Sequence, residues 1–236
     1  KVRLALPSLM ITPSIVGDSV IYMTSSGDVA CVSVTGGGFD WQAQGAKGSM
    51  STGGALVYGS TVYVASNRRG KSTWNMPFGG NGVVRALTLK GGLTVWEMPF
   101  DGLEANAVPA VCRAGPDGKA AIIVALGANP GWPLNSSQGQ AKGNAWCGAI
   151  KALSVDDGLV LWSFEPPVWT GHACAGITNA NVEQHFPPSG WNNPVVGADG
   201  TVYAGWSTNG TLYAISGSSG EALSKFEIGE CFCGSP

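Results

Sequence analysis

The chain has 236 residues, a net charge of −2 and only 12% charged residues, with 36 glycines and 14 prolines. That length suits one domain or part of one, and so much glycine with so little charge favours turn-rich β structure over helices. It carries no basic field to neutralise a phosphate backbone and no run of roughly 18 to 20 apolar residues, so neither nucleic-acid binding nor a membrane-spanning helix is expected.

The opening Lys1-Val2-Arg3-Leu4 reads as the inside of a strand, so a processed or partial chain is expected. Residues 12–42, TPSIVGDSVIYMTSSGDVACVSVTGGGFDWQ, set out a grammar that then repeats. A proline-led apolar strand meets a Gly/Asp turn, followed by an aromatic-bearing strand, a second Gly turn, an alternating strand carrying Ala, a third Gly turn and a last strand. Residues 54–98 keep that order around an insertion, 67–81, and residues 105–165 keep it around a second, 128–146. A polar connection follows over 167–193, and residues 192–227, NNPVVGADGTVYAGWSTNGTLYAISGSSGEALSKFE, give the fourth copy. The stretch 231–236 matches the opening strand of a further copy.

Anchor positions recur in register. Ala30, Ala86, Ala152 and Ala214 occupy the third strand of each copy, and Trp41, Trp96, Trp162 and Ser224 follow ten or eleven residues later. The alanines are 56, 66 and 62 residues apart, longer than the roughly 40 to 45 of a WD40 blade, whose G-H and W-D signatures are also missing. The grammar instead resembles the PQQ-like repeat, close to SPVV-dG-VYVGs-dG-LYALDa-tG-vlW, over nearly the whole chain. This resemblance implies an all-β fold, a β-propeller of four-stranded antiparallel blades, with about four blades here out of a ring of seven or eight. The rival architecture is a four-bladed ring closed by pairing of the two chain ends. In the family pattern Asp follows the alanine; Ser33, Thr88, Ser154 and Ser216 take its place, with weaker turn-anchoring expected of them.

A four-stranded sheet alone cannot bury both faces, so successive blades must stack, and Trp41, Trp96 and Trp162 are the expected inter-blade docking residues. Both insertions join second to third strands, which puts Trp74, Phe78, Trp132 and Trp146 on one rim as a candidate partner surface. The polar connection holds His172, Cys174 and His185, able metal ligands without a fixed ligand spacing, so a structured loop is the preferred reading and no metal is expected. For Cys174 the alternative is a disulfide to Cys147 or Cys112, since none of the six cysteines forms a C-x-x-C pair.

Quinoprotein dehydrogenases of the resembled family hold PQQ with calcium on the propeller axis, often beside a disulfide of adjacent cysteines. No such set is recognisable here: Cys231 and Cys233 are separated by Phe232, and the acidic residues fall mainly in turns. No catalytic residue and no cofactor are therefore assigned. The expected function is a noncatalytic propeller that binds other protein subunits in a larger assembly. Two alternatives stand beside it: a PQQ-dependent dehydrogenase whose cofactor residues lie mainly outside this segment, and a glycan-binding propeller using Trp74, Trp132 and Trp206. Sequons at Asn135 and Asn209 favour an extracytoplasmic setting, whether secreted, periplasmic or lumenal.

Overall fold

A computed structural model describes residues 12–46, 48–49, 51–68, 71–73, 76–78, 81–127, 147–168, 177–179, 182–183, 191–206 and 209–228. Four antiparallel sheets of four strands account for most of them. The first sheet is formed by β1 (Ser14–Val16), β2 (Ser19–Met23), β3 (Val29–Ser33) and β4 (Phe39–Ala43). The second uses β5 (Ala55–Tyr58), β6 (Thr61–Arg68), β9 (Asn81–Thr88) and β10 (Thr94–Phe100), with the hairpin β7 (Lys71–Thr73) and β8 (Met76–Phe78) inside the first insertion. The third is β11 (Ala110–Cys112), β12 (Ala121–Gly127), β13 (Gly148–Ser154) and β14 (Val160–Phe164). After a small hairpin, β15 (Ile177–Asn179) and β16 (Val182–Glu183), the fourth sheet follows as β17 (Val195–Val196), β18 (Thr201–Trp206), β19 (Thr211–Ser216) and β20 (Ala222–Glu227).

The first strands of successive sheets lie side by side, β1 by β5, β5 by β11 and β11 by β17, so the sheets radiate as blades from a common inner line. Burial follows that geometry. Every residue of β12 is buried, because this second strand is covered on both faces by neighbouring blades, whereas every residue of the outermost strand β20 is exposed. Three apolar clusters fill the spaces between blades; the largest joins Ile123, Ile150 and Trp162 of the third blade to Val202, Tyr213 and Ile215 of the fourth.

The turn between third and fourth strands is built alike in all four blades. The amides of Gly37, Gly92, Gly158 and Gly220 donate to the carbonyls of Ser33, Thr88, Ser154 and Ser216, respectively. Each of these glycines has φ between 65° and 76°, the left-handed region in which a Cβ is costly. The hydroxyls that stand in for Asp do anchor the turn: Gly36 N donates to Ser33 Oγ at 2.8 Å and Leu93 N to Thr88 Oγ1 at 3.0 Å. Asp156 N reaches Ser154 Oγ at 3.2 Å and Ser219 N reaches Ser216 Oγ at 3.3 Å. Anchoring survives the replacement because a turn amide needs one nearby oxygen acceptor, which the hydroxyl supplies without the charge assistance of a carboxylate.

Candidate functional site

Two kinds of feature repeat or converge enough to carry function: the joints between blades and a buried polar chain at the strand ends from which the insertions leave. At the joints, Trp41 Nε1 donates to Leu89 O at 2.9 Å, Trp96 Nε1 to Val155 O at 3.1 Å and Trp162 Nε1 to Gly217 O at 2.9 Å. In each case the indole belongs to the outer strand of one blade and the carbonyl to the turn of the next. The ring lies on the turn glycine: a Cβ on Gly158 would sit 2.6 Å from Trp96, one on Gly220 2.8 Å from Trp162, and one on Gly92 would run into Trp41. Only glycine leaves room for that approach. The offset is legible in the sequence, since each of these glycines falls four residues after the turn Ser or Thr, a constant spacing that periodicity of the apolar residues does not reveal.

Trp191 and Trp206 add a further contact between the third and fourth blades. They stack with centroids 5.5 Å apart and 18° between planes, and Trp191 Nε1 donates to Leu126 O at 2.8 Å. Trp206 is 1% exposed, which removes it from any surface a glycan could reach.

The polar chain lies on the connection from the second blade to the third. Asn67 Nδ2 donates to Asn106 Oδ1 at 2.7 Å, Asn106 Nδ2 donates to Glu104 Oε2 at 2.9 Å, and Ala105 N donates back to Asn67 Oδ1 at 2.7 Å. Glu104 also bridges Gly127 through both backbone bonds, at 2.6 and 3.0 Å. Asn67, Glu104 and Asn106 are all at least 95% buried. The strands that end here, β6 and β12, are those from which the two insertions leave, so the chain fixes both departure points. The sequence carried no sign of it, because Asn67 stands 38 and 39 positions before its partners Ala105 and Asn106 and no spacing rule joins them.

Arg85 is the second unforeseen feature. It is 5% exposed between the first two blades, where Nη1 donates to Gln44 O at 2.8 Å and Nη2 to Gly27 O at 2.8 Å. Burial lowers its pKa from the ordinary arginine value, and the Asp28 carboxylate opposes that shift.

Calcium with PQQ would require six to eight oxygen ligands, and the acceptor oxygens of Asn67, Asn106 and Glu104 are already engaged with amides. Among the described residues, no three His, Cys, Asp or Glu side chains converge as a metal site. His172, Cys174, His185, Trp74, Trp132 and Trp146 lie outside the described residues, and Phe78 is placed only by its position in β8. Cys112 and Cys147, the two expected partners for Cys174, are free thiols, as is Cys31. Cys112 is instead buried, with Sγ–H donating to Gly200 O at 3.7 Å.

Along the outer strands runs an exposed apolar belt. Val95, Leu161 and Leu223 hold the same position in three blades and are 53%, 43% and 60% exposed; Phe226, two residues past Ser224 on β20, is 57% exposed.

No family model and no curated protein matches the chain. Solved structures do match it. The quinohemoprotein alcohol dehydrogenase of Pseudomonas putida HK5 superposes with a TM-score of 0.58 at 15% identity, over 92% of this chain and 34% of that one. A europium-containing methanol dehydrogenase gives 0.61 at 15% identity, over 92% and 41%. The quinohemoprotein alcohol dehydrogenase from Comamonas testosteroni gives 0.61 at 14%, over 93% and 35%. This chain therefore has the propeller fold of those enzymes and spans 34% to 41% of their length.

Proposed function

We propose that this chain is a noncatalytic segment of a PQQ-like propeller that holds other protein subunits in an extracytoplasmic assembly. The observation that carries the reading is the set of exposed apolar side chains Val95, Leu161 and Leu223. Three large side chains, each more than two-fifths exposed and at the same outer-strand position in successive blades, are a surface that water disfavours and a partner would cover. The three inter-blade joints support it as well, since a row of blades locked by indoles is a rigid support for such a surface. Removing about 100 Å2 of apolar surface from water contributes roughly 2.5 kcal/mol, so even a modest contact over the belt is favourable.

The test is purification of the protein from its native source under mild extraction, followed by native mass measurement. A stable complex heavier than the polypeptide, lost on Leu161→Asp and Leu223→Asp substitution, is the expected result. A lone polypeptide that behaves identically with and without those substitutions refutes the reading. The dehydrogenase alternative has its own readout: a cofactor absorption band and dye-linked alcohol oxidation after addition of PQQ and calcium, neither of which is expected.

A further inference from the structure

The space between the first two blades is apolar over most of its length, where Val62, Val64 and Leu87 of the second blade meet Ile21, Met23 and Val29 of the first. It turns polar at one end. The register pairs Val62 with Leu87, Val64 with Arg85 and Ser66 with Val83, so Ser66 and Arg85 continue the face that Val62, Val64 and Leu87 begin. The connection that carries Ser49 folds against this end, with Ser51 N donating to Ser25 O at 2.9 Å. Gly27 is where the parts meet. Its carbonyl accepts from Arg85 Nη2 at 2.8 Å, and a Cβ on it would lie 2.5 Å from Ser49 Oγ and 3.4 Å from Ser66 Cβ.

Three polar atoms of this cluster are orphaned. Ser49, Ser66 and Arg85 are 4%, 0% and 5% exposed, and Ser49 Oγ, Ser66 Oγ and Arg85 Nε have no hydrogen-bond partner among the described residues. Each such group has given up water without replacing it, and three around one glycine point to a ligand that accepts from all of them. The charge says which kind. Arginine cannot escape burial by losing its proton, and among the described residues Arg85 forms no ion pair. Gln44 O and Gly27 O satisfy Nη1 and Nη2 but bring no negative charge. Asp28 is occupied elsewhere: its carboxylate accepts from Gly45 N at 2.7 Å and from Ser26 Oγ at 3.0 Å. A buried guanidinium without a paired carboxylate calls for an anion.

The set is particular to this pair of blades and is no property of the repeat. The positions that match Arg85 in the other blades hold Ala30, Lys151 and Tyr213, and those that match Ser66 hold Thr24, Leu126 and Trp206. Lys151, the one other cation of that series, finds Ser163 Oγ at 2.7 Å.

We infer that this polar end of the first inter-blade space binds a small monovalent anion of the halide kind, held by Arg85 Nε–H and the hydroxyls of Ser49 and Ser66. One N–H and two hydroxyls suit a spherical ion, whereas a tetrahedral oxyanion would keep most of its oxygens bare. The close approach at Gly27 leaves little room for the larger ion. Bound there, the ion offsets the Arg85 charge and ties the Ser49 connection to the second blade. The inference is independent of the assembly reading, which concerns the outer strands.

The test is unfolding of the whole chain in urea, a denaturant that brings no halide, with sodium chloride replacing sodium gluconate at constant ionic strength so that screening stays fixed. A ligand of the folded state alone raises the folded-to-unfolded ratio about elevenfold when it reaches about ten times its Kd, so a saturable rise with chloride is expected. Ser49→Ala and Ser66→Ala should each weaken the apparent chloride affinity at least about tenfold, since each removes a hydrogen bond to a charged group. In gluconate alone both variants should unfold at or above the wild-type midpoint, because an orphaned hydroxyl is gone; in chloride that order should reverse. A crystal grown in bromide should show an anomalous peak beside Arg85 Nε and the two hydroxyls. Absence of a chloride response in the wild type, a response that either serine variant leaves intact, or a peak at the site without anomalous signal, as water would give, would each overturn the inference.

Discussion

Replacing Gly158 by alanine isolates the worth of one inter-blade joint. The added Cβ would lie 2.6 Å from the Trp96 ring, so the indole must move or the turn must open. Left-handed backbone costs an alanine about 1 kcal/mol, forced repacking of a filled site about 1 to 3, and loss of the Trp96 to Val155 hydrogen bond about 1 more. The expected total is about 3 to 5 kcal/mol. Gly37→Ala supplies the internal control: its φ of 65° is close to the 75° of Gly158, but its Cβ meets nothing within 4 Å, so only the backbone cost of about 1 kcal/mol remains. In a chain of this size the difference, about 3 kcal/mol, corresponds to roughly 6 to 12 °C in melting temperature, readable by calorimetry or denaturant titration. On a Trp96→Ala background the extra cost of Gly158→Ala should vanish. Equal destabilisation by Gly158→Ala and Gly37→Ala, within about 0.5 kcal/mol, would refute the idea that the indole rests on the glycine.

Other outcomes follow from buried and titratable groups. Arg85→Met should destabilise the chain by about 3 kcal/mol in urea titration, because two charge-assisted hydrogen bonds to Gly27 O and Gln44 O disappear and leave carbonyls with poorer partners. Burial raises the thiol pKa of Cys31 and Cys112, so at pH 8 both should alkylate at least about tenfold more slowly in the folded protein than in urea, with the partly exposed Cys147 reacting first by peptide mass mapping. The Thr35 and Ser33 hydroxyls lower the Asp18 pKa from its ordinary 3.8. A lowered folded value means that its support of the Ser33–Thr35 turn is complete above 3.8 and is lost as pH falls through the folded value, so carbon-detected titration of Asp18 should give a midpoint under 3.8. Asp18→Asn should remove that acid dependence.

The blades were legible because their physics is local. Alternating apolar residues, Gly turns and the Ala-to-Trp interval all arise within one copy, and the eleven-residue interval in the first copy matches its register, in which Trp41 opposes Cys31 rather than Ala30. Cys31, not Ala30, therefore holds the place of Ala86, Ala152 and Ala214, and the same one-residue bulge on the outer strand recurs in all four blades. The interior of the joints was only half legible: large indoles announce burial, but their carbonyl partners lie 48 to 59 residues away and their glycine seats farther still. Arg85 and the Asn67–Asn106–Glu104 chain carried no signal at all. An arginine or glutamate in a strand-rich sequence reads as a solvent-facing side chain, and only the meeting of separate blades turns it inward. Which amide each hydroxyl of Ser33, Thr88, Ser154 and Ser216 accepts from was not legible either, since it differs from turn to turn.

Each joint is asymmetric, with the indole on one blade and the glycine seat on the following one. The row consequently has a polarity, like a chain of hooks and eyes. Duplicating or removing the second or third copy whole leaves an indole facing a glycine seat at every junction, so such a change in the gene needs no compensation there, whereas the fourth copy has Ser224 in the place of the indole. A break inside a copy separates a turn from its outer strand and spoils two joints together. Growth by whole units is thus the route that this architecture tolerates.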